Sequence, residues 1–202
     1  MIAIVDYGMG NLRSVQKAFE RINIPVIISS DRNQILNAKK IVLPGVGNFE
    51  KGMINLQTEN LIGTLTEAVI NRKLPILGIC LGMQLMTEFS EEGSVNGFGW
   101  VKAKTKKFTL KDNTIKIPHM GWNNIRVVKY SPITWNISPD DLFYFVHSYY
   151  VTCEVQNDVL ATTDYSGTFV SAFQKENIYG CQFHPEKSHD AGLKILKNFA
   201  DL

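Results

Sequence analysis

Four apolar runs dominate the first half of the chain: "IAIVDY" (2–7), "PVIIS" (25–29), "KIVLPG" (40–45) and "PILGIC" (75–80). None of them alternates apolar with polar residues. A strand that is apolar on both faces has to be covered on both faces, the condition met by a parallel sheet between layers of helix. The intervening segments supply those helices. Asn11 can cap a helix whose Leu12, Val15, Phe19 and Ile22 share one face. Residues 48–72 read as helical in one or two pieces, with Leu61, Leu65, Ala68 and Val69 on one stripe, and 81–89 read as another helix. The first half is therefore a β-α unit repeated.

The second half changes character. "GWVKAKTKKF", "FYFVHSYYV", "VLATTDY", "TFVSAFQ" and "NIYGCQFHP" read as strands joined by short turns and partly antiparallel. A last helix starts at about His189, with Gly192, Ile195, Leu196 and Phe199 on one stripe. The expectation is an α/β fold, a mixed, mainly parallel central sheet flanked by helices. No linker-like segment separates the halves. With 202 residues, 45% of them hydrophobic, the chain 1–202 is expected to form a single domain.

Composition excludes several classes. The net charge of +2 is small and interspersed, so nucleic acid is not an expected partner. No apolar run approaches the ~18 residues of a membrane span, and the first strand-like run is too short for a signal peptide. Cys80, Cys153 and Cys181 are odd in number, widely spread and without a CxxC spacing, which suits free thiols in a cytoplasmic protein.

Cys80 ends the fourth run within "GICLG", a G-x-C-x-G pattern. Sites in open parallel sheets lie beyond the carboxyl ends of the strands. A strand that turns directly into a helix crowds the turn residue, and glycines two before and two after relieve the crowding. This is the nucleophile elbow usually built around serine. The free N–H groups of a helix beginning at Leu81 point toward the sulfur, where they favour negative charge and can stabilise an oxyanion. The bland alternative is a buried cysteine between packing glycines. His184, in "QFHPEKSH", follows an apolar strand and precedes Pro185, which disfavours helix at His184. In an extended segment Glu186 points to the same side and can hold the tautomer of the ring. Cys80, His184 and Glu186 would then act as nucleophile, base and orienting acid.

Other residues have structural readings. Cys153 and Cys181 sit in apolar runs and suit the core. His147 reads as a packed strand histidine and His189 as a helix start. A metal site from His184, Glu186 and His189 lacks a recognised spacing. "GMG" at 8–10 lacks the third glycine of a dinucleotide loop, because position 13 is Arg13. Lys102, Lys104 and Lys106 alternate along a solvated edge face.

"GICLGMQL" together with the distant "QFHPEKS" resembles the class I, triad-type glutamine amidotransferases. "DYGMGNLRSV", "LPGVGNFEKGM", "PHMGWN" and "FVHSY" resemble one branch of that family, the glutaminase subunits of imidazole glycerol phosphate synthase. The resemblance runs from Asp6 to Phe199 and implies a flavodoxin-like fold. It implies that Cys80 attacks the side-chain amide of L-glutamine while His184 relays protons and Glu186 orients it. Backbone N–H groups of Leu81 and of the loop Gly45, Val46, Gly47 would form the oxyanion hole. Gln84 and Glu92 would bind the polar ends of the substrate, and His147, Ser148 and Tyr149 its α-carboxylate side. No cofactor or metal is implied.

The same resemblance implies a heterodimer in which ammonia passes to a (β/α)8-barrel cyclase subunit. Met120, Trp122, Asn123 and Lys187 match its interface, and a loop exposing Met and Trp in "PHMGWNN" fits a covered surface. The implied role is in histidine biosynthesis, with slow glutaminase activity in the isolated subunit. Relatives in bacterial surface-sugar synthesis feed ammonia to a partner that builds an acetamidino group. Trp100 and His189 depart toward that branch and bear on the acceptor, not on the triad. A stand-alone thiol hydrolase would need neither the glutamine contacts nor the apolar loop. A non-catalytic interaction subunit would have no reason to keep all three triad residues.

Overall fold

The computed structural model describes residues 1–109 and 116–202. The first half builds the expected β-α succession. Strand β1 (Ile2–Val5) leads to helix α1 (Leu12–Arg21), β2 (Val26–Ser29), α2 (Arg32–Leu36) and β3 (Lys40–Gly45). Next come α3 (Phe49–Thr58), α4 (Leu61–Thr66), a π-helical turn (Glu67–Asn71), β4 (Ile76–Cys80) and α5 (Leu81–Leu85). The caps are those the sequence favours: the Asn11, Asp31 and Asn48 side chains accept from Ser14, Gln34 and Lys51 N–H groups. The expected 48–72 helix divides at Asn60, whose left-handed φ of 56° interrupts the turn.

The second half is built of short strands. These are β5 (Phe89–Ser90), β6 (Val95–Asn96), β7 (Ala103–Lys107), β8 (His119–Asn124), β9 (Arg126–Val127), β10 (Leu142–His147), β11 (Tyr149–Cys153), β12 (Val159–Asp164), β13 (Thr168–Lys175) and β14 (Ile178–Cys181). Helix α6 (His189–Asp201) closes the chain.

The main sheet runs β2-β1-β3-β4-β14-β13-β11-β7-β5-β6. β2, β1, β3, β4 and β14 are mutually parallel, in the doubly wound order of flavodoxin-like folds. From β14 to β13 and onward to β11 and β7 the pairing is antiparallel. The sheet is thus mixed, as expected. One apolar layer gathers Val15, Phe19, Ile195, Leu196 and Phe199 on one side, and another gathers Phe49, Leu56, Leu61, Leu65 and Leu85 on the other. Both faces of β1, β3 and β4 are therefore buried, which is why these strands carry no polar alternation.

Four details differ from the sequence reading. The helix expected over 81–89 stops at Leu85, because its last carbonyls are taken by amides from a later segment. Phe98 N–H donates to Leu85 O at 2.8 Å and Trp100 N–H to Met86 O at 3.1 Å. "FYFVHSYYV" is two strands, not one. Up to His147 it pairs with β8 in a separate two-stranded ribbon, and from Tyr149 it pairs with β7 and β13 in the main sheet. The loop expected at "HMGWNN" is β8, its hydrogen bonds supplied by the distant β10. The lysine strand β7 exposes Lys104 and Lys106 but lies between β11 and β5 rather than at an edge.

Candidate active site

β4 delivers Cys80 beyond the carboxyl edge of the parallel strands, directly before α5. The residue adopts φ 53° and ψ −108°, a conformation that L-residues avoid. The two flanking glycines make the turn possible. A Cβ on Gly78 would sit 2.7 Å from the Gly82 carbonyl, and a Cβ on Gly82 would strike the Leu43 carbonyl of β3. The G-x-C-x-G pattern is therefore a steric requirement of the strand-to-helix turn.

His184 follows β14, the strand next to β4. The segment after it is not extended, as read from sequence, but a 3-10 turn over Pro185–Lys187. That turn folds Glu186 back onto the ring, and His184 Nδ1 hydrogen-bonds Glu186 Oε1 at 2.8 Å. The turn is clamped to β10. His184 N–H donates to Tyr144 O at 2.9 Å, Tyr144 N–H donates to Ser188 Oγ at 3.0 Å, and Ser188 Oγ–H donates to His184 O at 2.6 Å. His184 Nε2 is buried and has no hydrogen-bond partner. Burial pulls the imidazole pKa down, but its interactions with Cys80 and with the Glu186 carboxylate outweigh it and raise it to about 10. The ring is thus a strong proton acceptor for a neighbouring thiol, as a base that activates a nucleophile must be.

A cleft of about 300 Å³ opens over the sulfur. Val46, Gly47, Cys80, Leu81, Gln84, Glu92, His147, Ser148 and Tyr149 line it, joined by Pro118 and Val146, which the sequence reading missed. Gly45 lies beneath, paired with Cys80 across β3 and β4. Glu92 Oε2 accepts from Phe49 N–H at 2.7 Å, which fixes the carboxylate at the start of α3. The Gln84 Nε2 amide donates to Tyr149 O and to Gln182 Oε1, each at 3.0 Å. Both of its N–H groups are thus committed to the protein, leaving Oε1 to turn toward a ligand. His147 is packed, as one reading had it, and also faces the cleft. Its Nδ1 bonds Tyr149 O at 2.8 Å, and burial, with smaller contributions, lowers its pKa to about 3.

Cys181 is buried and Cys153 half-buried; burial pushes the Cys153 thiol up to about 12 and Cys181 well above its usual value. Both suit the inert role read from sequence. Among the described residues no cluster of His, Cys, Asp or Glu groups could hold a metal ion. No helix among them is long and apolar enough to cross a membrane.

Met120 and Trp122 project from one face of β8, 61% and 46% exposed. Asn123 lies on the opposite face, where its Nδ2 donates to Asp164 O at 3.1 Å. Strand alternation separates residues that the one-dimensional motif groups together. Lys187 sits 5.6 Å from the Tyr144 ring centroid, and His189 stacks on Trp122 at 4.9 Å.

A thiol elbow, an acid-oriented imidazole and a polar cleft on a doubly wound sheet define a class of enzyme that cleaves amides through a thioester. Residues 3–202 match the family Glutamine amidotransferase class-I, and the chain belongs to that family. It is 50% identical to imidazole glycerol phosphate synthase subunit HisH 2 of Methanococcus maripaludis, over 98% of both chains. It is 47% identical to subunit HisH 1 of Campylobacter jejuni over the full length of both. Among solved structures, a glutamine amidotransferase superposes over 100% of both chains with a TM-score of 0.78 at 14% identity. PurLQS from Thermotoga maritima follows with 0.72 at 18% identity, over 99% of this chain and 97% of that one. These two likenesses bear on the fold alone.

Proposed function

We propose that this chain is the glutaminase subunit of an imidazole glycerol phosphate synthase, serving histidine biosynthesis. The observation that carries the chemistry is the 2.8 Å bond between His184 Nδ1 and Glu186 Oε1, which leaves the other side of the ring to interact with Cys80 on the neighbouring strand. Cys80 Sγ adds to the side-chain amide carbon of glutamine while its proton passes to His184 Nε2. The oxyanion is met by the Leu81 N–H at the start of α5 and by N–H groups of the 45–47 loop. His184 then gives the proton to the departing nitrogen, and ammonia leaves a γ-glutamyl thioester. Water adds to the thioester as His184 takes its proton. The C–S bond breaks, glutamate departs and the thiol regains the proton. Glu92 suits the α-ammonium of glutamine, Gln84 Oε1 can accept from it, and the backbone from His147 to Tyr149 suits the α-carboxylate side.

The ammonia goes to a cyclase subunit, in this reading a (β/α)8 barrel that docks on the face carrying Met120, Trp122 and Lys187. Relatives named as synthase subunits, alike over their full length, support that assignment. A second reading keeps the glutaminase and changes the partner to one that builds an acetamidino sugar. His189, one of two departures toward that branch, stacks on Trp122 within the proposed docking face.

The test is glutamate release from glutamine, measured with the chain alone and with the cyclase subunit of the same organism plus its ribulosyl ligand. Stimulation by about two orders of magnitude is expected, the usual worth of an oxyanion donor that only the complex completes. Turnover by the free chain as fast as by the complex would defeat the gated oxyanion hole. No complex and no stimulation would move the chain to the second reading.

A further inference from the structure

One unbroken hydrogen-bonded chain runs from β8 to the sulfur of Cys80, and its donors and acceptors are fixed by its middle. The Tyr149 carbonyl can only accept. His147 Nδ1, at 2.8 Å from it, therefore carries a proton. In the neutral ring Nε2 must then accept, so the proton of the 3.1 Å contact belongs to His119 Nδ1. His119 Nε2 accepts in turn, from the Asn123 amide at 3.4 Å. On the other side of the same carbonyl, Gln84 Nε2 donates to Tyr149 O, which sets the orientation of the Gln84 amide. Its second N–H reaches Gln182 Oε1 at 3.0 Å, so the Gln182 amide cannot be flipped, and its Nε2 donates to Cys80 Sγ at 3.5 Å.

We propose that Gln182 is a positioning residue for the proposed nucleophile, orienting the Cys80 sulfur beside His184 from the inner end of this chain. The proposal rests on the glutaminase reading. Gln182 is fully buried, just past β14, between Cys181 and Phe183. A glutamine kept there only to be satisfied could use any acceptor; this one offers its N–H to the reactive sulfur. A cysteine side chain has three staggered rotamers, and a donor on one of them selects it, most strongly when the sulfur is charged. Gln182 is itself held through Gln84 by a carbonyl that two donors share, so the sulfur's orientation is set before substrate arrives. Gln84 and Tyr149 also line the cleft, which makes one network responsible for both the substrate contacts and the nucleophile.

The experiment uses the full chain carrying Gln182→Met, which keeps length and removes the donor, and Gln182→Glu, which keeps shape and acceptor. Labelling by iodoacetamide at one fixed pH is followed separately at Cys80 and at Cys181, the buried neighbour that reports loosening. Both variants are expected to label Cys80 several-fold more slowly with Cys181 still protected. Their kcat for glutamine should fall by roughly 10²-fold, the cost of misplacing a reacting group, at little-changed KM. Unchanged Cys80 labelling with Cys181 protected overturns the proposal. So does labelling of Cys181 in both variants, because Gln182 would then be a packing residue. If the wild-type chain released no glutamate with any partner, the glutaminase reading would fail while the labelling comparison still judged Gln182.

Discussion

Cys80 occupies a backbone conformation, φ 53°, that costs a non-glycine residue about 1–3 kcal/mol. Such strain persists only when neighbours over-determine it, and here the pairing of Gly45 with Cys80 and the collision limits at Gly78 and Gly82 do so. What the turn achieves is exposure of a sulfur to a cleft from within a buried strand. The proposed role gives a sharp outcome for Cys80→Ala. Synthesis from glutamine should vanish, while synthesis from added ammonium salt on the partner subunit should persist. Loss of both would make Cys80 a structural residue. The proposed triad is legible in the sequence because all three residues sit in short motifs. Gln182 stood in the quoted "QFHPEKS" and was overlooked. Its partners Gln84 and Cys80 are 98 and 102 residues away, and no local pattern encodes that contact.

At the scale of elements, two packings set the site. α5 lies so close to β3 that Gly82 touches the Leu43 carbonyl. Gly82→Ala should therefore push the helix off the sheet. The expected result is a lower Tm together with altered Cys80 labelling, since the elbow and the core share this contact. A variant with unchanged melting and labelling would show that the backbone absorbs the methyl group. The β8–β10 ribbon is the second packing. Its outer face carries Met120 and Trp122, and its inner face buries His119 against Phe145 and Tyr165, with ring centroids at 4.7 and 3.9 Å. Trp122→Ala is expected to weaken partner binding by about 2 kcal/mol, roughly thirtyfold in Kd, as an anchoring aromatic does. Because the ring is half exposed, the melting temperature of the free chain should hardly move. Titration of the variant against the cyclase subunit checks this, and unchanged affinity would remove Trp122 from the interface. The strand identity of this segment was hidden because a short polar-aromatic stretch becomes a strand only when its partner, a distant one here, is supplied.

For the whole molecule, the two buried histidines behind the cleft link stability to pH. Burial lowers His119 to about 4. His147 is lowered to about 3, by burial first and then by the charges of His119 and His184, against the Tyr149 carbonyl, which raises it. Both folded values lie below the ordinary 6.5. Above that value neither state binds a proton at these rings, and their contribution to stability is complete. Below it the unfolded chain takes up protons that the fold refuses, so stability declines as pH falls from 6.5 toward about 4. Thermal melts across that window should show a falling Tm, with a shallower slope for His119→Phe, which retains the stacked ring position. A flat profile in the wild-type chain would mean that the pair is already charged in the fold.

The sequence by itself determined the doubly wound parallel half, because strands buried on both faces must be apolar throughout and helices must bury a stripe. It also determined the thiol elbow and the histidine that follows β14, because strand-end chemistry is written in adjacent residues. The tertiary structure alone decided where "FYFVHSYYV" changes sheets, which face of β8 Asn123 takes, how a 3-10 turn carries Glu186 onto His184, and that Gln182 reaches Cys80. Each of these depends on hydrogen bonds between segments far apart in the chain, and a strand or an amide has no partner until the rest of the fold brings one to it.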